Sequence, residues 1–377
     1  MLVPDSLENP MGGMGEQAKQ LLKNFKHQCT VIGSSKQLAT DYGNGKRFFP
    51  ITEAPIPLGN TDPHLNNIFQ QSAFVAATLN LEKHDVVHAF DWNAFYPGFL
   101  IAKKWNVPLV ITIQLSINEL TKNLQPSDSH SDISLFLKGI EYFGLINANA
   151  IIQVSQSYAK NFPRYFYPKT RVIYNGIDNK EWRKTEIFKL PGDNKTKVIF
   201  LGRLAYQKGV HLLLKSTIPK DIDLIYIGGD RGSNTELQDE IIKQSQKQKN
   251  IHYLGALYGK EKIGALQAAD AVIMPSIHEP FGIVALEALA SKSILISSFV
   301  NGMGDFLSED VAIKCELSPK GINKALKTFL HTSKEERKKR IEKGVKLCSK
   351  FDWSQITKEV EEVYEDVYED VLQICQD

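Results

Sequence analysis

Apolar runs of four to seven residues recur along the chain, and most are followed by a stretch in which apolar residues return every three or four positions. In the first half the runs lie at 30–33, 85–91, 109–113 and 150–154, and a short stub, Met1-Leu2-Val3, precedes them. In the second half they lie at 198–201, 224–227, 251–254, 271–274 and 293–298. Their length and flanks predict strands, and the spacing at 16–25, 65–81, 135–145, 158–167, 235–248 and 260–269 predicts helices. Strands apolar on both faces, alternating with helices, predict parallel sheets covered on both sides. The segment 42–60 is rich in Gly, Pro and Asn and reads mostly as loop, 125–132 as a polar surface loop, and 184–195 as a linker. A closing helix at 353–374 carries Trp353, Ile356, Val360, Val363, Val367 and Val371 on one side, with Asp352 placed to cap it. The mixed charges of 334–340 read as a solvated helical face. The fold class this predicts is α/β, with two doubly wound parallel-sheet, Rossmann-like domains facing each other across a cleft.

Length supports two domains, since 377 residues exceed one ordinary core. The expected division is 1–183, joined by the helix 353–374, and 184–352. A net charge of +2 argues against a nucleic-acid surface. Cys29, Cys315, Cys348 and Cys375 show no metal-type spacing, which suits free thiols in a reducing compartment. With no apolar run near the ~20 residues of a membrane span and no signal segment at the N-terminus, a cytoplasmic protein is expected. Contact with a membrane surface stays open, because an amphipathic face needs no such run.

The most informative stretch is 271–290. After the strand 271–274, Pro275 to Glu279 make a turn and Pro280 stands where a helix could start. From Phe281 to Ala290 every residue is apolar or Gly except Glu287, so the helix should be buried all round. A buried carboxylate without a donor costs several kcal/mol. Glu287 is therefore bonded by a main-chain amide or an Arg of the core, or it serves a ligand. Gly282 and the helix-start amides would accept a bulky anion such as a diphosphate. Upstream, Gly202-Arg203-Leu204 follows a strand and Lys208-Gly209 opens the next element, which fits a phosphate clamp. Gly12 and Gly13 precede a helix, either as a plain turn or as an anion-facing loop. His88 and Asp91 end one strand and Gln114 another, where α/β sheets place ligands, although His88 and Asp91 would equally serve to bond loop amides. Gly13-Met14-Gly15-Glu16-Gln17-Ala18 also satisfies the dinucleotide fingerprint, which keeps an NAD(P)-dependent oxidoreductase as an alternative. That fingerprint needs a glycine directly after a strand and an acid after the next one, and neither is present.

Glu279 and Glu287 with Pro280-Phe281-Gly282 between them, Gly202-Arg203-Leu204 with Gln207-Lys208-Gly209, Val172-Ile173-Tyr174-Asn175-Gly176-Ile177-Asp178 and His88 to Trp92 together resemble retaining GT-B glycosyltransferases of the glycogen and starch synthase kind. The resemblance covers nearly the whole chain. It implies transfer of a hexose, with retention and without a metal ion or other cofactor, from a nucleoside diphosphate sugar to a hydroxyl acceptor. UDP- or ADP-glucose is the implied donor and a glucan one implied acceptor, with a lipid or small molecule as the alternative. By the same resemblance Glu279 holds the sugar hydroxyls, Glu287 the ribose, and Arg203 and Lys208 the diphosphate. Phe281, Gly282 and Ile283 form the donor-binding turn with the Gly12-Gly13 loop, Asp91 stands near the reacting sugar, and the closing helix returns to the first domain. Gln114 occupies a place where these enzymes usually carry histidine. An amide cannot carry a proton, so a catalytically weak nucleotide-sugar-binding protein is a further alternative. Asp221-Ile222-Asp223 matches a metal motif of another glycosyltransferase class, but it precedes a strand and reads as a solvated strand entry.

Overall fold

The computed structural model describes residues 1–5, 7–8, 10, 12–34, 39–51, 81–122, 132–184, 186–194, 196–229 and 235–374. The expected helix at 65–81 lies outside them but for Leu81, as does the polar loop 125–132 but for Asp132. The chain divides into two units, Met1–Asn175 with Trp353–Asp377, and Gly176–Asp352. The polar stretch 184–195 thus belongs to the second unit.

Among the described residues the first unit has eight strands: β1 (Leu2–Val3), β2 (Cys29–Ser34), β3 (Thr40–Gly43), β4 (Lys46–Ile51), β5 (Val87–Phe90), β6 (Leu109–Ile113), β7 (Ala150–Gln153) and β8 (Thr170–Val172). They form one sheet in the order β3-β4-β2-β1-β5-β6-β7-β8, parallel except for β3 against β4. Every residue of β5, β6 and β7 is buried, as strands covered on both faces require. Helices α1 (Gly13–Asn24), α2 (Trp92–Trp105) and α3 (Asp132–Asn147) belong to this unit. A Cβ on Gly144 of α3 would lie 2.3 Å from the Phe95 ring of α2, so a glycine sets how closely these two helices approach. The C-terminal helix, Trp353–Ile374, packs its Tyr364 ring against Phe25, with centroids 5.6 Å apart. Tyr364 also bonds His88 Nδ1 at 2.6 Å, while Thr112 Oγ1 lies 2.7 Å from His88 Nε2. Burial pushes the His88 pKa well below its usual range, so the ring is a neutral bridge between sheet and helix.

In the second unit β9 (Thr196–Leu201), β10 (Ile222–Ile227), β11 (Ile251–Tyr253), β12 (Ala271–Met274), β13 (Ile294–Ser297) and β14 (Ile313–Lys314) form a parallel sheet in the order β11-β10-β9-β12-β13-β14. Its helices include α4 (Thr235–Lys247), α5 (Gly259–Gln267), α6 (Ile283–Ala290), α7 (Pro319–His331) and α8 (Lys334–Cys348). Ser318 caps α7, its hydroxyl accepting from the Gly321 N–H, and Ser333 caps α8 in the same way through Glu336. The charged α8 buries only Gly344 and Cys348. A Cβ on Gly344 would lie 2.8 Å from Leu289, so this glycine lets α8 approach α6 closely. Cys315 and Cys348 are buried free thiols whose pKa values burial pushes up to about 12, which makes them poor nucleophiles.

Three expectations need correction. The loop expected at 42–60 contains strand from the start. Gly43 pairs with Lys46 across Asn44-Gly45, a two-residue turn in which both residues have positive φ, 54° and 73°. Asn-Gly is the sequence favoured in such hairpins. The helix expected at 158–167 breaks at Pro163 into a short helix, Gln156–Ala159, and a 3-10 turn, Arg164–Lys169, because proline lacks the N–H that would continue the ladder. Asp223 is not a solvated strand entry. β10 begins at Ile222, and Asp223 is buried with Lys197 Nζ 2.7 Å from its Oδ2. The Asn194 backbone N–H donates to the same oxygen at 2.8 Å, and Lys197 Nζ also donates to the carbonyls of Pro191 and Gly192. One buried acid thereby pins the segment before β9 onto the sheet.

Burial alone raises a carboxyl pKa, but hydrogen bonds from Lys197, His252 and Asn194 outweigh it and hold Asp223 below its ordinary value. A depressed folded pKa gives stability that is complete above the unfolded carboxyl's value, near ~4, and is lost as the pH falls through the lower folded one. Asp223→Asn should cost roughly 2–3 kcal/mol at neutral pH. In urea titrations its deficit relative to wild type should shrink only below pH ~4.

Candidate functional site

In the second unit β9 and β12 lie side by side, but the chain beyond β9 goes to β10 on one side and the chain beyond β12 to β13 on the other. Loops that part at such a reversal leave a crevice at the carboxyl ends of the strands. The loop leaving β9 runs through Gly202, with φ 144°, and the half-buried Arg203 to a 3-10 turn, Tyr206–Lys208, closed by Gly209 at φ 71°. The loop leaving β12 runs from Pro275 to Gly282, at φ 99°. A Cβ on Gly209 would stand 1.9 Å from the Pro275 carbonyl oxygen, so the loops touch through backbone. The N–H groups of Ile277 and His278 both donate to the Gln207 carbonyl, at 2.9 and 3.2 Å. These ties bring Lys208 Nζ to 2.5 Å from Glu279 Oε2. Behind Glu279, its N–H donates to Asn301 Oδ1 at 3.2 Å, and the Gly302 N–H donates to its carbonyl at 3.1 Å.

Helix α6 begins at Ile283, three residues beyond Pro280, with Gly282 as its left-handed cap residue. Phe281 precedes the helix, and its ring is core: it is 2% exposed and packs on Phe306 and Phe351, with centroids at 5.2 and 5.9 Å. A Cβ on Gly282 would lie 2.7 Å from Met303, so the turn carrying Pro280 to Gly282 sits directly on the 3-10 turn Asn301–Asp305. Glu287, buried as its apolar helix requires, is met by Lys262 of α5 at 2.6 Å. The donor is neither a main-chain amide nor an Arg. Lys262 was hidden in the sequence because it belongs to a helix whose register relative to α6 only the fold sets.

The first unit repeats the reversal at β1 and β5. Beyond β1, Gly12 is extended and Gly13 opens α1, the Glu16 N–H donating to the Gly12 carbonyl at 3.2 Å. Beyond β5, Asp91 has φ 56°, an uncommon conformation for a residue with a side chain. Its Oδ1 accepts from the backbone N–H groups of Gln114, at 2.6 Å, and Leu115, at 3.1 Å. Asp91 therefore bonds loop amides, one of the two readings its sequence allowed. Gln114 lies in a cluster of side-chain amides. Its Nε2 donates to Gln17 Oε1 at 2.6 Å and Asn175 Oδ1 at 3.1 Å, and its Oε1 accepts from Asn175 Nδ2 at 2.8 Å. Gln17 is fully buried although it falls among the polar positions of α1, and Asn175 reads in sequence only as part of a turn.

Two family models divide the chain between them: "Glycosyltransferase Family 4" matches residues 11–181 and "Glycosyl transferases group 1" matches residues 183–347. The chain belongs to the group 1 glycosyltransferases. A glycogen synthase from Mycobacterium tuberculosis is 28% identical over 321 residues, covering 78% of this chain and 73% of the relative. Among solved structures, sucrose-phosphate synthase from Thermosynechococcus elongatus superposes with TM-score 0.80 at 19% identity, over 95% of this chain and 94% of that one. The catalytic domain of starch synthase IV from Arabidopsis thaliana, bound to ADP and acarbose, superposes with TM-score 0.70 at 19% identity, over 98% of each chain. The fold of this group 1 glycosyltransferase is GT-B. Among the described residues no helix is long and apolar enough to cross a membrane.

Lys262→Met should leave the Glu287 carboxylate buried without its cation and lower stability by about 2–4 kcal/mol. Combining it with Glu287→Gln should recover part of that loss. A double-mutant cycle in chemical denaturation is expected to give a coupling of about 1–3 kcal/mol, and strict additivity would show that the pair is not coupled.

Proposed function

We propose that this glycosyltransferase moves a hexose, from UDP- or ADP-glucose, to a hydroxyl acceptor such as a glucan, with retention of anomeric configuration and without a metal ion. The observation that carries the reading is the Lys208–Glu279 pair at the reversal of the second sheet, at 2.5 Å, with Arg203 and the Gly282-capped helix on the same loops. The ADP in the superposed starch synthase supports a nucleoside diphosphate as the leaving group. Arg203, Lys208 and the first amides of α6, from Ile283 onward, supply positive charge and donors for a diphosphate. Glu279 accepts from the sugar hydroxyls and keeps Lys208 oriented. Glu287, held by Lys262, has acceptor capacity left for the two ribose hydroxyls. Phe281 contributes only backbone, since its ring is core.

In this reading the bond from the sugar C1 to the diphosphate breaks, the acceptor oxygen attacks from the same face, and its proton passes to the departing phosphate oxygen. Asp91 and Gln114 are assigned to the reacting sugar, and Gly12 and Gly13 present amides to the donor. Gln114 positions through its carboxamide and carries no proton.

Lys208→Ala should lower kcat about 10²–10³-fold with a small change in Tm, and Glu287→Gln should weaken binding of the nucleoside diphosphate in calorimetry. NMR of the product formed from α-linked donor should show the α anomer, at a rate that EDTA leaves unchanged. An inverted product, or undiminished turnover in Lys208→Ala, would overturn the reading.

A further inference from the structure

Helix α3 is apolar on two faces. Leu137 and Leu145 enter the core of the first unit, which is all that folding asks of a surface helix. On the opposite side Leu135, Phe136, Tyr142 and Ile146 are 45–56% exposed, and Gly139, between them in helical register, has open space where a side chain would stand. From Leu135 to Ile146 this strip runs about 16 Å along the helix. The 3-10 turn Arg164–Lys169 extends it sideways: Tyr142 and Tyr165 both pack edge-on against the Phe166 ring, at 5.6 and 5.3 Å, and Tyr165 is 79% exposed. Soluble monomers seldom expose a continuous apolar strip of this kind without using it.

The chain around the strip is rich in cations, although α3 opens at Asp132 and Arg171 lies 3.9 Å from Asp366 of the C-terminal helix. Between residues 133 and 177 the sole acidic residue is Glu141, against Lys138, Lys160, Arg164, Lys169 and Arg171. Glu141 is buried under Ser116, Ile117 and Asn118, which all donate to it at 2.6–2.9 Å, so it offers no outward negative charge. Lys160 and Arg164 are exposed, and Lys169 closes the C-terminal end of α3 by donating to the carbonyls of Ile146 and Ala148. A second copy of the chain would bring the same cations against these, which disfavours self-pairing. An apolar strip with tyrosines at its edge and cations around it matches the boundary between lipid headgroups and acyl chains.

We propose that this face of the first unit docks on an anionic lipid surface, with the outer residues of α3 entering the acyl boundary and Lys160 and Arg164 meeting lipid phosphates. The proposal is independent of the donor reading. Among acceptors, it favours one carried in that surface.

Flotation of the full chain with vesicles tests it. The chain should float with vesicles of phosphatidylglycerol and phosphatidylcholine in equal parts and not with phosphatidylcholine alone, and high salt should reduce the bound fraction. Lys160→Glu with Arg164→Glu should lower the partition coefficient by at least about 25-fold, from roughly fivefold for each cation lost. Leu135→Ser with Phe136→Ser should abolish flotation, with Tm and nucleotide binding unchanged in both variants because all four positions are exposed. Absence of flotation, or flotation that both variants retain, would overturn the proposal. So would a dimer in analytical ultracentrifugation that Phe136→Ser dissociates, since it would assign the face to a second copy.

Discussion

Each unit depends on a reversal of strand order in its sheet. Parallel strands need crossovers, and where neighbouring strands send their crossovers to opposite sides, their exit loops part with no helix above the strand ends. At β9 and β12 the backbone fits this place only because side chains are missing from it: Gly209 lies against the Pro275 carbonyl, and Gly228 against that of Gly202, each too close for a Cβ. The positive φ of Gly202, Gly209 and Gly282 turns both loops back over the sheet. These backbone contacts place Lys208 beside Glu279, and without them two long side chains would have to be ordered at their own entropic cost.

The two units use the same strand-end position with different electrostatics. In the second, two partly desolvated acids each have one lysine, Lys208 for Glu279 and Lys262 for Glu287. A pair of this kind is costly to break and can exchange partners when an anion or a polyol arrives, because the lysine and the carboxylate each find a new counterpart. In the first unit the corresponding groups are neutral or already spent. Asp91 is fixed by two backbone amides, and Gln17, Gln114 and Asn175 bond one another. The lysine–carboxylate pairs thus lie at the strand ends of the second unit and the fixed hydrogen-bonded groups at those of the first.

What the sequence made legible followed from local period and length. β6 and β12 were readable to the residue because each is a short apolar run between turns, too short for a helix and rich in Val and Ile. The C-terminal helix was readable because its stripe repeats over 22 residues. The β3–β4 hairpin was masked by its own signals, since the Gly and Asn that mark loops also build the Asn-Gly turn, and Pro50 stands in β4 beyond the residues that β3 pairs. Asp223 was misread because its burial depends on Lys197 and Asn194, which reach it from outside β10. Glu279 and Glu287 stood out as acids in an apolar setting, and Lys208 as a phosphate ligand, but the lysine that meets Glu287 did not. A lysine on an amphipathic helix looks solvated until the packing of that helix is known, as Lys262 illustrates.

Gln114 shows how a departure from a family pattern is absorbed. A histidine at the end of β6 would bring a titratable ring against the side-chain amides of Gln17 and Asn175, whereas a glutamine matches them. Gln114 and Asn175 form a reciprocal amide pair, and the second hydrogen of Gln114 Nε2 goes to Gln17. Both donors are then occupied within the protein, and the carboxamide is held in one orientation with no proton to lose. An amide cluster of this kind can hold polar groups in place but cannot take up the proton that an attacking hydroxyl releases in the proposed reaction. That proton has to go to a group with a developing negative charge, and in the proposed reaction the departing diphosphate has one. The amide cluster therefore places the demand for charge stabilisation on Arg203, Lys208 and the start of α6, where the second unit concentrates its cations and helix amides.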